Sequence, residues 1–153
     1  MEREVLENMS SAELVKLLKE DPSLSSKFDE YSLWSKIITW RDLLAEQPQF
    51  ADKCDKWEEF SAWDWYELFD QPQFEEKAKQ YPSGWAAILT QKPELARDCD
   101  KWEEFSAEDW SWLLESRPQF ADKCDKWEKF SAEDWSSLLK FQPQFADMRN
   151  KQI

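Results

Sequence analysis

The sequence predicts an all-α fold, an α-solenoid of about six short helix-turn-helix repeats with a period near 25 residues. One observation behind this prediction is the segment PQFADKCDKW, which occurs at residues 48–57 and again at 118–127. A second is a series of prolines spaced 26, 24, 21, 25 and 25 residues apart, namely Pro22, Pro48, Pro72, Pro93, Pro118 and Pro143. Repeats of this length are typical of stacked units that bury a continuous core only together.

The composition is that of a chain that folds. Hydrophobic residues make up 41% of the 153 residues and include 11 Trp, which is ample material for a core. A single glycine and seven prolines give no sign of a flexible linker. We therefore expect one helical-repeat domain over residues 1–153, with a divergent N-terminal cap (1–34), repeats (35–147) and a C-terminal cap (148–153).

Each unit is expected to open with a short amphipathic helix. In the fifth unit, Trp110, Leu113 and Leu114 stand at i, i+3 and i+4 and form one apolar stripe. Ser106 precedes this stripe and Asp109 follows three residues later, which is the pattern of an N-cap with an acidic residue in the first turn. The same start appears at Ser61 and Asp64 and at Ser131 and Asp134.

A second helix should follow the proline of each unit. Pro118 ends the first helix because it lacks an N–H group, yet it fits the first turn of a new helix. Phe120, Cys124 and Trp127 then fall at i, i+4 and i+7, on one face of a helix of about ten residues. Helices this short are marginal alone, so packing against neighbouring units must hold them.

Two units depart from the consensus. In the first unit, Phe28, Tyr31 and Trp34 are assigned to the positions that carry Cys, Trp and Phe elsewhere. In the fourth, Pro82 shortens the preceding helix and four residues of the usual connection are missing, which predicts a local kink.

The three cysteines share one repeat position, six residues after the proline. Cys54, Cys99 and Cys124 are therefore interpreted as small buried hydrophobic side chains rather than as disulfide partners.

The residue types argue against an enzyme. The chain has no His, and its lone glycine, Gly84, excludes phosphate-binding glycine loops. No cysteine spacing fits a zinc site, and no cofactor is predicted. Carboxylates are plentiful, so a hydrolase with two catalytic acids stays open, but the acids follow the repeat and no pair of them stands apart from it.

The net charge of −13 opposes direct binding to nucleic acid and favours a protein partner with a basic surface. No apolar run approaches the roughly 18 residues of a membrane span. We therefore expect a soluble cytoplasmic protein that has no contact with a membrane.

Charged residues predict a first candidate surface. The acids lie beside recurring lysines (Lys56, Lys101 and Lys126) and are expected on the solvent side of the second helices. They are Asp55, Asp100, Asp125, Glu58, Glu103 and Glu128. Stacking would align them into a strip that docks a basic partner. The alternative is an ordinary solvated face.

Aromatic residues that break the repeat predict a second one. Trp63 stands where the fifth and sixth units carry Glu, and Tyr66 stands where they carry Ser. Trp112 likewise replaces Glu67 and Ser137. An exposed Trp and Tyr set beside acids has the composition of a protein-binding hot spot. The alternative is that these rings fill gaps between units, especially beside the shortened one.

The repeat also resembles a known type of sequence. QPQFADKCD, followed by Trp and a Ser-x-x-Asp-Trp-x-x-Leu-Leu helix, is similar to tandem Trp-rich repeats of uncharacterised bacterial proteins. The units at Pro48, Pro93 and Pro118 match it well, and the resemblance covers roughly residues 35–147. It implies a bacterial or phage-related origin and no particular activity.

These observations favour a non-enzymatic protein-protein interaction module that recruits or blocks its partner. The alternative is an acidic nucleic-acid mimic that inhibits a basic nucleic-acid enzyme, as anti-restriction and anti-CRISPR proteins do. The recurring lysines argue against a pure mimic, because they interrupt each acidic row.

Overall fold

The computed structural model describes residues 2–152, so Met1 and Ile153, at the outer ends of the two predicted caps, lie outside it. Over this range the secondary structure is helical without β-strands, and successive helices pack against their neighbours in the sequence. The predicted all-α repeat fold is confirmed. The chain forms two compact units, one ending at Glu59 and the other beginning at Phe60.

Residues 2–152 contain ten α-helices. They are α1 (Arg3–Glu7), α2 (Ser11–Glu20), α3 (Ser25–Glu30), α4 (Trp40–Glu46), α5 (Ala62–Leu68), α6 (Pro72–Ala78), α7 (Pro82–Gln91), α8 (Ala107–Ser116), α9 (Ala132–Phe141) and α10 (Ala146–Lys151). Short 3-10 helices connect them, at Pro22–Leu24, Trp34–Lys36, Pro48–Lys53, Trp57–Glu59, Pro93–Asp98, Trp102–Glu104, Pro118–Lys123, Trp127–Lys129 and Pro143–Phe145. The predicted C-terminal cap (148–153) is thus helical as far as Lys151, as part of α10.

The predicted helix starts are confirmed as capping boxes. At the start of α8, the Ser106 hydroxyl accepts the Asp109 backbone N–H at 3.1 Å, and the Asp109 carboxylate accepts the Ser106 N–H at 3.0 Å. Equivalent boxes open α5 and α9. Each box satisfies two backbone donors that the first turn of a helix leaves unpaired.

The predicted second α-helix is wrong for the regular units. After Pro118 the chain forms a 3-10 helix that ends at Lys123, extends at Cys124 and makes a separate 3-10 turn at Trp127–Lys129. The physical reason lies in aromatic packing, because the break directs Trp127 onto Trp135 of the next α-helix. Their rings stack 5.7 Å apart. Tertiary contacts outweigh the helical period in so short a segment.

Four aromatic rings form the core of a regular repeat. Trp102 stacks on Trp110 with ring centroids 5.6 Å apart, and Phe105 and Phe120 flank the pair at 5.3 and 5.6 Å from Trp102. We call Trp102, Phe105, Trp110 and Phe120 the core aromatic cluster. Trp110 and Phe105 are completely buried, so the cluster supplies much of the apolar burial that stabilises the unit.

The first unit shows that one predicted assignment was wrong. Trp34 stacks on Trp40 at 5.9 Å and flanks Phe50 at 5.3 Å, so it holds the position of Trp102 rather than the Phe position. Trp40 follows Trp34 by six positions, whereas Trp110 follows Trp102 by eight. Because the spacing is shorter in the first unit, aligning that unit with the others by sequence put Trp34 at the Phe position.

Adjacent repeats are tied by the residue that precedes the proline. In three cases its side chain donates a hydrogen bond to the backbone carbonyl of the penultimate residue of an earlier helix. These are Gln47 to Lys19 at 3.2 Å, Arg117 to Thr90 at 3.0 Å and Gln142 to Glu115 at 2.8 Å. Each bond satisfies a carbonyl that the helix end leaves unpaired.

The shortened unit brings two helices into close contact. The segment after Pro72 is the α-helix α6, and α7 begins at Pro82, only four residues after α6 ends at Ala78. Gly84 makes this approach possible, because a Cβ atom there would lie 2.1 Å from the Ala78 carbonyl oxygen. The glycine is therefore required for space between α6 and α7.

The three cysteines are free and lie in the extended connections. Cys54 and Cys99 are buried and Cys124 is half-buried. Burial raises the pKa of each thiol to about 11, so the thiols stay protonated at neutral pH.

No helix of the described chain is long and apolar enough to cross a membrane.

Candidate functional site

The three aromatic residues that break the repeat come together at the surface. Trp63 and Tyr66 of α5 stack with ring centroids 6.3 Å apart, and Trp112 of α8 meets each of them edge-on at 5.8 Å. Trp63 is 49% exposed, Tyr66 is 37% exposed and Trp112 is half-buried. We call these three residues the surface aromatic cluster.

The helix between α5 and α8 explains how the rings meet. Helix α7 packs against both of them. At the repeat positions equivalent to Tyr66 and Trp112 it carries Ala86 and Ala87, which are completely buried. These small side chains leave room for rings from the two flanking helices. The surface aromatic cluster therefore lies beside the shortened unit and is partly exposed, which combines the two interpretations of the sequence.

An open pocket of about 270 Å³ adjoins the cluster. Trp63, Tyr66 and Trp112 line it together with Thr90 and Phe141, and Phe141 is 58% exposed. The sequence analysis missed Phe141. It stands where α8 has Ser116, so the search for departures from the repeat would have found it. We call this the aromatic pocket.

A second pocket, of about 430 Å³, shares a wall with the aromatic pocket. Trp63 and Trp112 line it, and so do four acids from α8 and α9, namely Glu108, Glu115, Glu133 and Asp134. No Lys or Arg is among its lining residues. We call it the acidic pocket. The sequence analysis missed it because three of these acids read as ordinary residues of the first helical turn.

Glu115 lies at the junction and lines both pockets. Burial, and then the nearby charge of Asp134, raise the pKa of its carboxyl group. Within residues 2–152 its carboxylate has neither an ion pair nor a hydrogen bond. Its backbone carbonyl, by contrast, accepts the Gln142 bond that ties the repeats. The carboxylate is thus a half-buried charge without a cation.

Asp134 holds the far side of the acidic pocket in place. Its carboxylate caps α9 by accepting the Ser131 N–H at 2.9 Å. Its backbone carbonyl accepts the Ser111 hydroxyl at 3.1 Å, which links α8 to the start of α9. The pocket is therefore built on two helices that are joined by a hydrogen bond.

The residues of the predicted acidic strip lie outside the α-helices. Its aspartates are exposed in the extended connections, and its glutamates are exposed in the 3-10 turns that follow: Asp55, Asp100, Asp125, Glu58, Glu103 and Glu128. They are exposed to solvent as predicted, but their predicted placement on second α-helices is wrong, because those helices break at the cysteines.

The lysines of the strip are engaged locally. Lys56 and Lys126 form ion pairs with their neighbours Asp55 and Asp125 at 3.2 and 3.1 Å. Lys126 also donates to the Glu103 backbone carbonyl at 3.2 Å, which ties it to the preceding unit. These lysines therefore neutralise part of the strip and connect the repeats.

The fold is that of an all-α helical repeat protein, and its distinctive feature is the pair of adjoining pockets. Comparison with protein-family models, with curated proteins and with solved structures finds no match. Residues 2–152 contain no group of three His, Cys, Asp or Glu side chains placed to hold a metal ion.

Proposed function

We propose that this protein is a non-enzymatic interaction module that recruits or blocks a partner protein through the surface aromatic cluster and the acids beside it. The observation that carries the proposal is the meeting of Trp63, Tyr66 and Trp112. These three residues break the repeat on two separate helices and yet form one partly exposed cluster.

Comparison of the repeats indicates that folding of a unit does not require these aromatic residues. The positions of Trp63, Tyr66 and Trp112 hold Glu133, Ser136 and Ser137 in α9, where the same kind of helix begins with the same capping box. The partial exposure of each ring costs the folded protein little free energy. Together the rings provide a large apolar area that a partner can cover.

The charge supports a partner with a basic surface. The net charge is −13, and the acidic pocket places four carboxylates beside the aromatic rings. Complementary charge speeds the encounter and selects the partner. We propose that this interaction takes place in the cytoplasm, a reducing compartment that is compatible with three free cysteines.

The nucleic-acid mimic remains the second candidate, and the exposed rows of Asp and Glu favour it. The ion pairs of Lys56 and Lys126 weigh against it, because they neutralise acids that a phosphate mimic needs. The resemblance to Trp-rich bacterial repeats is compatible with both candidates.

The test is a pull-down from bacterial lysate at low and at high salt, with mass spectrometry of the recovered proteins. The variants restore the repeat, as Trp63→Glu and Trp112→Ser, and circular dichroism checks that each is folded. We expect a partner that binds the wild type at high salt and is lost with both variants, because apolar contacts resist screening.

A matched set of variants separates the two candidates. Asp55→Asn, Asp100→Asn and Asp125→Asn together remove three charges from the acidic strip and leave the aromatic cluster intact. The proposal expects the same partner to be retained. If instead a basic nucleic-acid enzyme binds only at low salt and is lost with these variants, the mimic would be supported and the interaction module rejected.

A further inference from the structure

The geometry points to a specific partner feature: an arginine side chain that enters the acidic pocket, next to an apolar side chain that enters the aromatic pocket. This inference rests on the proposed function and specifies the partner segment. The two pockets share Trp63, Trp112 and Glu115 as common lining. One short segment with two adjacent side chains therefore suffices to occupy both.

The charge of the acidic pocket selects a cation. Glu108, Glu115, Glu133 and Asp134 line it without a basic residue, so their fields add in the space between them. Among these acids Glu115 should gain most from a cation, because its carboxylate is half-buried and has no cation beside it within residues 2–152. A cation that enters the pocket compensates the Glu115 carboxylate for the solvation by water that burial removes.

The aromatic wall favours arginine over lysine. Trp63 and Trp112 lie edge to face, with an angle of 71° between their planes, so two ring surfaces of different orientation line the pocket. A planar guanidinium stacks on an indole face and still directs several N–H donors at carboxylates. Glu108 and Glu133 are exposed acceptors at the same site.

The aromatic pocket fits the apolar neighbour of that arginine. Its volume is about 270 Å³ and its lining includes three aromatic side chains besides Trp112, namely Trp63, Tyr66 and Phe141. Phe141 is 58% exposed, so a partner that covers it removes apolar surface from water. An exposed apolar area of this kind, bordered by acids, is the pattern of a docking site.

The test uses the dipeptide N-acetyl-leucyl-arginine amide as the probe. Spectra of ¹⁵N-labelled protein resolve indole N–H signals, and those of Trp63 and Trp112 are assigned by their absence in Trp63→Glu and Trp112→Ser. We expect saturable shifts of both signals on titration. Replacing arginine by citrulline keeps the shape and removes the charge, and affinity should fall at least about tenfold.

Matched variants locate the charge. Glu115→Gln should weaken binding of the probe about tenfold, because the removed carboxylate is half-buried at the junction. Glu94→Gln removes the same charge from an exposed position outside both pockets and should leave the affinity unchanged. Circular dichroism confirms that both variants are folded.

Several outcomes would overturn the inference. These are equal affinity for the citrulline probe, equal loss with Glu115→Gln and Glu94→Gln, shifts confined to other Trp signals, or no shift at all. The proposed function is tested separately by the pull-down. A protein partner that depends on Trp63 and Trp112 while the arginine probe fails would preserve the module and reject this occupant.

Discussion

Two aromatic clusters in the same part of the chain have similar geometry and different roles. In the core aromatic cluster, Trp102 stacks 5.6 Å from Trp110 and both rings serve the interior of the repeat. In the surface aromatic cluster, Trp63 stacks 6.3 Å from Tyr66 while both remain partly exposed. The first arrangement recurs, with Trp34 stacked on Trp40 and Trp127 on Trp135, whereas the residues of the second break the repeat.

Helix α8 contributes to both clusters. Trp110 and Trp112 are two residues apart and therefore project from different faces of the helix. Trp110 is completely buried and Trp112 lines two pockets. The comparison teaches that a repeated aromatic residue reports packing, whereas an unrepeated one at a surface position marks a candidate contact.

The largest effect is expected for Trp110→Ala. The change removes a completely buried ring from the core aromatic cluster and should lower the free energy of unfolding by about 3–5 kcal/mol. Urea denaturation measures it. A loss below about 1 kcal/mol would show that the cluster is not the core of the repeat.

Gly84→Ala should come next, because the added Cβ atom would lie 2.1 Å from a backbone oxygen that cannot move aside alone. Separating α6 from α7 to relieve this overlap should cost about 1–3 kcal/mol. Since α7 also lies between α5 and α8, the indole N–H signals of Trp63 and Trp112 should shift. Unchanged stability and unchanged signals would contradict the tight contact.

Ser106→Ala should destabilise α8 by about 1 kcal/mol, because it deletes the acceptor for the Asp109 N–H. The change touches neither cluster directly but acts on the helix that supports both. Thermal unfolding measures it, and Ser116→Ala, an exposed serine at the other end of the same helix, is the control.

Trp63→Glu should cost about 1 kcal/mol or less, because Trp63 is 49% exposed and the repeat accepts glutamate at this position. The comparison with Trp110→Ala in the same urea experiment is decisive. Equal destabilisation by the two changes would place Trp63 in the core and remove it from the candidate site.

The smallest effect concerns Asp109, whose pKa is raised by burial despite the hydrogen bonds from Ser106. A raised pKa means that folding favours the protonated acid, so this contribution to stability is full below about pH 3.9 and is lost as the pH rises through the folded pKa. The stability of Asp109→Asn relative to that of the wild type should therefore increase from low to neutral pH, as measured by urea denaturation at several pH values. Asp134→Asn alters the same kind of capping box at a less buried position, so a gain common to both variants would contradict the assignment to burial.

The fold was predictable where local signals and packing agree. The capping residues Ser106 and Asp109 and the stripe of Trp110, Leu113 and Leu114 behave as the sequence indicates, because the helical period and the first-turn hydrogen bonds are local properties. The second helices were not predictable in this way. Their break at Cys124 follows from the stacking of Trp127 on a residue of the next helix, which the helical period of the segment itself does not encode.

The candidate site was predictable in part for a similar reason. Trp63, Tyr66 and Trp112 stood out as departures from the repeat, yet their mutual contact depends on Ala86 and Ala87 of the helix between them. The acidic pocket was missed because its acids look ordinary one at a time. Only the packing of α8 and α9 brings Glu115 and Asp134 to the same pocket.

The hydrogen bond that Gln47, Arg117 and Gln142 each donate from the position before a proline has a consequence for how such a chain can lengthen. Gln142 carries the donor for the carbonyl of Glu115, and Arg117 carries the donor for Thr90, so in each case the acceptor belongs to an earlier helix. A duplicated unit inserted into the array therefore arrives with the group that completes its predecessor. Duplication of such a unit keeps this one carbonyl of the preceding helix paired, and copies can diverge at the surface while the joint between them remains intact.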